Sequence, residues 1–168
     1  MIRLNAEQFW EFSLAIYCKQ QVAQACLDLQ DRRAADVNIL LFSCWLATQG
    51  CRLNESGFKA AMAAVADWRT QLLEPLRRAR RRLKKRFPEI AKPDKQSINH
   101  AIMSAELECE RLAQGKILFA AHSHLVTTDA AAGQRELAEK SLQAYLALIA
   151  PEPDDLDRAD VETLLSNL

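Results

Sequence analysis

An all-α fold, a single irregular bundle of six or seven helices around a central apolar helix, is predicted by three observations. The 168-residue chain holds only four Gly and five Pro against abundant Ala, Leu, Gln, Glu and Arg, a helix-forming composition with few turns. Apolar residues recur at steps of three and four through most of the chain. One run, Val37 to Ala47, is apolar on every side, as a helix in the middle of a bundle must be. The length suits one domain with a real core. Residues 1–150 are expected to form the bundle, and residues 151–168 an acidic C-terminal tail whose short helix packs on the same domain.

The first helix starts at Asn5, whose side chain is placed to accept from the Gln8 backbone N–H, with Leu4 stapling onto Phe9. Phe9, Phe12 and Ile16 mark its inner face, and Trp10, Leu14 and Tyr17 form a second stripe beside it. A second helix over 22–30 repeats the period through Val22, Ala25, Cys26 and Leu29, and the DRR that follows marks its exit. The third, from about Ala35 to Gln49, is stopped by Gly50. Its polar groups, Asp36, Asn38 and Ser43, must each find a partner, because burying a polar group unpaired costs free energy.

After Asn54 to Gly57, residues 58–86 read as one long helix, or as two joined at Pro75. Val65, Trp68, Leu72, Leu76, Ala79, Leu83 and Phe87 form its apolar seam, which places the intervening arginines on the faces away from that seam. A linker with Asp94 or Ser97 as the next cap leads to a fifth helix running towards His124. That helix carries Ile98, Ile102, Ala105, Cys109 and Leu112 on one side, with Gly115 as a weak point. A loop around Thr127, Thr128, Asp129 and Gly133 precedes a sixth helix over 134–150. Asp157 is then expected to cap a last short helix carrying Val161, Leu164, Leu165 and Leu168.

Charge is concentrated although the net charge is zero. Arg77, Arg78, Arg80, Arg81, Arg82, Lys84, Lys85 and Arg86 crowd one short helical stretch, while Glu152, Asp154, Asp155, Asp157, Asp160 and Glu162 dominate the C-terminus. So dense a cationic helix meets an anion or sits in water. Three readings follow: a docking site for an acidic protein surface, a nucleic-acid site, or a resting place for the acidic tail. Nucleic-acid binding would be salt-dependent and driven by counterion release, but aromatic interleaving is sparse.

A second concentration of polarity, Asp36, Asn38, Glu106 and Glu110, is the candidate polar cluster, with Arg32, Arg33 or Arg111 as expected partners. Paired carboxylates in a dry cleft serve as acid and base, or hold a small ligand, while the arginines hold a phosphate. The plainer reading is a helix cap at Asp36 and inter-helix ion pairs at the glutamates. No E-x-x-H pair, nucleophile motif or phosphate loop accompanies them.

Cys18, Cys26, Cys44, Cys51 and Cys109 are scattered without a C-x-x-C pair and read as reduced core thiols. His100, His122 and His124 lie far from most of them, so neither a metal nor a cofactor is expected. On a helix, His122 and His124 point to different sides, and a helix terminus accounts for the pair. The three tryptophans, with Phe9, Phe12 and Phe42, are read as core rather than as a ligand pocket. Val37 to Ala47 is too short to cross a bilayer. The N-terminus carries acidic residues too early for a signal peptide, so a cytoplasmic protein without membrane contact is expected.

The stretches FWEFSLAIY, VAQACLDLQD, ADVNILLFSCWLATQG, EPLRRARRRLK and AELECERL, and most specifically LQDRRAADVNILLF, resemble an uncharacterised bacterial helical family known as a domain of unknown function. That resemblance implies a bacterial origin and a helical fold, and it carries no activity or site residue with it. The function expected is therefore a non-catalytic cytoplasmic binding or adaptor protein that docks an anionic partner through the basic helix. The alternatives are a small-ligand or phosphate-substrate enzyme using Asp36, Asn38, Glu106 and Glu110, and a nucleic-acid-binding protein.

Overall fold

The computed structural model describes residues 4–127, 133–150 and 152–168, so Thr128 and Asp129 of the expected loop lie outside the described residues. The bundle is all-α, as the periodicity predicts. Its helices are α1 (Ala6–Tyr17), α2 (Gln20–Arg33), α3 (Val37–Thr48), α4 (Glu55–Trp68), α5 (Glu74–Lys85), α6 (Lys92–Ala121), α7 (Gln134–Ile149) and α8 (Asp155–Leu165). A π-helical turn, Arg69–Leu73, joins α4 and α5 into one rod, which brings the number of rods to seven among the described residues.

Helix α3 forms the core. Ile39, Leu40, Phe42, Cys44 and Leu46 are completely buried, and α1, α6 and α7 pack round it. Phe9 of α1 seats its ring 5.0 Å from Phe42 and stacks on Trp45 at 5.2 Å. The polar groups of α3 are paired as burial requires. Asp36 caps it by accepting from the Asn38 N–H at 2.9 Å, and the Ser43 hydroxyl donates to the Ile39 carbonyl. Tyr145 of α7 accepts from the Asp36 N–H at 2.8 Å, tying the cap to the far side of the core.

Two short strands escaped the periodicity, three residues being too few to show alternation. β1 (Cys51–Leu53) pairs antiparallel with β2 (Leu125–Thr127), Leu53 opposite Leu125, and so clamps the exit of α3 to the end of α6. Some caps also differ from expectation. The Asn5 side chain accepts from Glu7 rather than Gln8. Helix α6 opens five residues before Ser97, where Pro93 stands in the first turn and needs no hydrogen-bond acceptor. Helix α8 is capped by Asp154, with Asp157 as its reciprocal partner in a capping box.

The π turn changes the seam. The Glu74 N–H reaches back five residues to the Arg69 carbonyl, so one extra residue is accommodated just before Pro75, whose ring nitrogen has no hydrogen to donate. Leu72 consequently lies 38 % exposed and Leu73 is buried in its place. Downstream, Ala79 and Phe87 are exposed while Arg77 and Arg80 turn towards α6. The expectation that every arginine faces away from the seam is therefore corrected for these two.

The acidic tail does not lie on α5. Helix α8 packs on α2 and α7, where Asp157, 1 % exposed, accepts from Arg32 at 3.1 Å and from Arg33 at 2.7 Å. Asp160 also pairs with Arg32 and Asp154 with Arg33, so two arginines held side by side at the end of α2 gather three carboxylates of the tail, while Asp155 pairs with Arg158 and Glu162 with Arg135.

Candidate functional site

Successive turns of α6 present Glu106, Glu110 and Gln114 on one face, a spacing of four residues that stacks side chains along a helix. Opposite them stand Arg77 and Arg80 of α5, Asn38 of α3 and Ser13 and Tyr17 of α1, and with Leu27 and Gln30 of α2 five helices contribute to one cleft. Arg80 Nε donates to Glu106 Oε1 at 2.7 Å, and Arg77 pairs with Glu110 Oε1. The other Glu110 oxygen accepts from Asn38 Nδ2 at 2.6 Å, and Asn38 Oδ1 accepts in turn from Gln114 Nε2 at 2.9 Å. Gln114 also donates to the Ser13 hydroxyl at 3.0 Å, and that hydroxyl donates in turn to the Phe9 carbonyl.

These groups floor a cleft of about 300 Å³, at the lower end of the range for small-molecule sites. Its walls are apolar. Leu14, Leu27, Met103 and Leu107, each between 39 % and 53 % exposed, stand at the cleft with Trp10 and Leu41. Trp10, read as core from its stripe, lines this opening instead, while Phe9, Phe42 and Trp45 are core as expected.

Asn38, Glu106 and Glu110 of the predicted polar cluster line this cleft, whereas Asp36 lies beside it, and the partners differ from those expected. Asp36 faces Arg69 at 3.7 Å on the adjoining side of Asn38, Arg32 and Arg33 serve α8, and Arg111 pairs with Glu108 on its own helix. Burial holds the Glu110 carboxyl above its usual range, opposed by the Arg77 guanidinium and the Asn38 hydrogen bond. Burial likewise raises Asp36, against the pull of Arg69, and raises the Tyr17 phenol. The hydrogen bond from Arg80 to Glu106 raises the guanidinium's own value.

Ser13, Arg69 and Gln114 were not singled out from the sequence. Gln114 had a readable signal, since it continues the stripe of Glu106 and Glu110 by one more turn. Arg69 had none, because its approach to Asp36 depends on the π turn.

The basic block divides in two. Arg77 and Arg80 are neutralised in the cleft, whereas Arg78, Arg81, Arg82, Lys84, Lys85 and Arg86 are exposed and, among the described residues, meet no carboxylate. Arg78, Arg81, Arg82, Lys85 and Arg86 line a shallow open furrow of about 270 Å³. Phe87 stands at its end, 45 % exposed, where the chain turns with φ +64°.

His122 and His124 sit in a 3-10 turn closing α6, and among the described residues no three His, Cys, Asp or Glu side chains are placed to hold a metal ion. No helix is long and apolar enough to cross a membrane, among the described residues. Comparison with curated proteins and with solved structures finds no match. A family model described as a protein of unknown function, DUF2390, matches residues 8–117, a stretch that contains the basic helix and every cleft residue from Trp10 to Gln114. The chain therefore belongs to the DUF2390 family of proteins of unknown function.

Proposed function

We propose that the protein is a non-catalytic cytoplasmic binding or adaptor protein that docks an acidic protein surface on the outer face of α5. One observation carries this reading: six cations, Arg78, Arg81, Arg82, Lys84 and Lys85 of α5 and Arg86 at its C-cap, stand exposed without a carboxylate partner among the described residues. Asp154, Asp157 and Asp160 of the chain's own acidic segment, the natural competitor, are engaged by Arg32 and Arg33 instead. A zero net charge confines the attraction to this patch, and aromatic side chains for stacking on bases are sparse beside it, which suits an acidic protein surface better than a nucleic acid.

The test compares the wild type with the triple variant Arg78→Glu, Arg81→Glu, Arg82→Glu for binding to polyglutamate and to a single-stranded oligonucleotide of matched charge, across a salt series. These three positions avoid Arg77 and Arg80, so the cleft stays intact. The expected result is salt-sensitive binding to polyglutamate that falls by more than about tenfold in the variant. Equal binding by both proteins removes the ridge from the account, and preferential oligonucleotide binding transfers the role to nucleic acid.

A further inference from the structure

Four large apolar side chains at the mouth of the cleft lack cover. Leu14 of α1, Leu27 of α2 and Met103 and Leu107 of α6 are between 39 % and 53 % exposed, and they converge from three helices on one opening. Met103 and Leu107 stand one turn apart, so α6 alone offers a stripe rather than a spot. Apolar side chains gathered in a concave surface mark an interaction site, unlike those scattered singly over an exterior.

The cleft is open because α5 packs chiefly on α6 and the π turn, leaving its other side bare towards α1 and α2. That side carries charge of one sign. Arg81 follows Arg77 by four residues and Lys84 follows Arg80 by four, so each prolongs the same wall by one turn. Arg77 and Arg80 are matched by Glu110 and Glu106, whereas Arg81 and Lys84 are exposed and, among the described residues, meet no carboxylate. The opposite rim has the other sign: Glu7 and Glu11 are exposed on α1, three residues before the cleft residues Trp10 and Leu14 respectively. An occupant is therefore drawn in with its negative edge against α5 and away from α1.

Its conformation follows from the walls. They are helices, and the two strands found among the described residues pair beyond the C-terminal end of α6, so they offer no edge here for an extended segment to join. A volume of about 300 Å³ admits apolar side chains while the backbone that bears them lies along the mouth.

We infer that the partner docked by α5 presents an acidic amphipathic helix, whose apolar stripe seats on Leu14, Leu27, Met103 and Leu107 while its carboxylates meet Arg81 and Lys84. This rests on the reading of the basic ridge given above and adds the anchor to it: charge guides the approach, and buried apolar side chains hold the complex.

The experiment measures two fluorescent peptides by anisotropy. One, of about 18 residues, has leucines at steps of three and four and glutamates along one edge; the other is a scramble of the same composition without a stripe. The striped peptide should bind the wild type at least about tenfold more tightly than the scramble, and should shift the methyl signals of Leu14, Met103 and Leu107 in NMR spectra of the labelled protein. The double variant Met103→Ser, Leu107→Ser changes side chains already half exposed, and it should lose that preference yet keep its binding to polyglutamate. Arg81→Glu combined with Lys84→Glu should weaken the striped peptide by about tenfold.

Equal binding of stripe and scramble, methyl signals that stay in place, or an undiminished preference in the serine variant overturns the inference, and retained polyglutamate binding then leaves the ridge reading standing. Polyglutamate binding that is the same in wild type and in the Arg78→Glu, Arg81→Glu, Arg82→Glu variant overturns both. A wild-type dimer that the serine variant turns into a monomer gives the face to a second copy of the chain instead, and overturns the inference as well.

Discussion

Asn38 Nδ2 donates to Glu110 Oε2 at 2.6 Å, and through that bond the central helix α3 is fastened to α6 at the same carboxylate that Arg77 grips from α5. Three helices therefore meet on one partly buried acid, and the energetics of the cleft follow from how that acid is satisfied.

Glu110 is held above its usual range chiefly by burial, so the folded state binds its proton more tightly than the unfolded chain does. The sign is then fixed: its ionisation costs stability, with the cost absent below the unfolded value and fully developed once the pH exceeds the raised folded value. Glu110→Gln keeps an acceptor for Asn38 without the charge, and is expected to lie within about 1 kcal/mol of wild type at neutral pH. Urea midpoints of both proteins over a pH series should show the wild type losing ground to the variant as the pH climbs through that window. Arg77→Met, which strands the carboxylate, should cost about 1–3 kcal/mol at neutral pH.

Asp157 carries the attachment of α8. It is buried, it completes the capping box, and it accepts from both Arg32 and Arg33. Asp157→Ala removes a cap partner and leaves two guanidinium groups without their shared acceptor, so a loss of about 2–4 kcal/mol is expected by denaturant unfolding. Polyglutamate binding by the outer face of α5 should not change in the same variant, because the tail does not cover that face.

Two glycines give opposite predictions. Gly115 lies inside α6 with open space where a Cβ would stand, and Gly115→Ala should stabilise the protein by about 0.5–1 kcal/mol through helix propensity. At Gly57 an added Cβ would come within 2.8 Å of His124 Cβ and 2.9 Å of a Leu53 methyl. Gly57→Ala should therefore cost about 1–3 kcal/mol, read as a lowered thermal midpoint.

The cysteines separate by exposure. Cys26, Cys44, Cys51 and Cys109 are buried, and burial pushes the Cys26 thiol up to about 12 and Cys51 to about 11, with Cys44 and Cys109 also raised. Cys18 is exposed at the end of α1. Iodoacetamide at mildly alkaline pH should add a single carbamidomethyl group, on Cys18, to the native protein, and one to every cysteine after denaturation, as read by mass spectrometry.

Much of the architecture was readable because it is local. An all-round apolar run can only be a central helix, and the ends of α3 followed from Asp36 and Gly50. Asn38, Glu106 and Glu110 could be placed near one another because polar groups on inward stripes need partners, and they do line one cleft. What could not be read was pairing at a distance. Nothing local to Arg32 and Arg33 shows that α8 reaches them rather than α5, and the two three-residue strands are paired across more than seventy intervening residues. The inward turn of Arg77 and Arg80 depends on a change of helical register that leaves no trace in apolar spacing until Leu73 is seen buried.

That register change acts as a gear tooth in the long rod. Each residue advances an α-helix by about 100°, so removing one residue between Arg69 and Leu73 would swing the whole of α5 by that angle. Arg77 and Arg80 would then leave their glutamates, and a different pair of cations would be carried inward. A single-codon deletion at this point would thus exchange the roles of cleft and ridge without altering any residue that forms either.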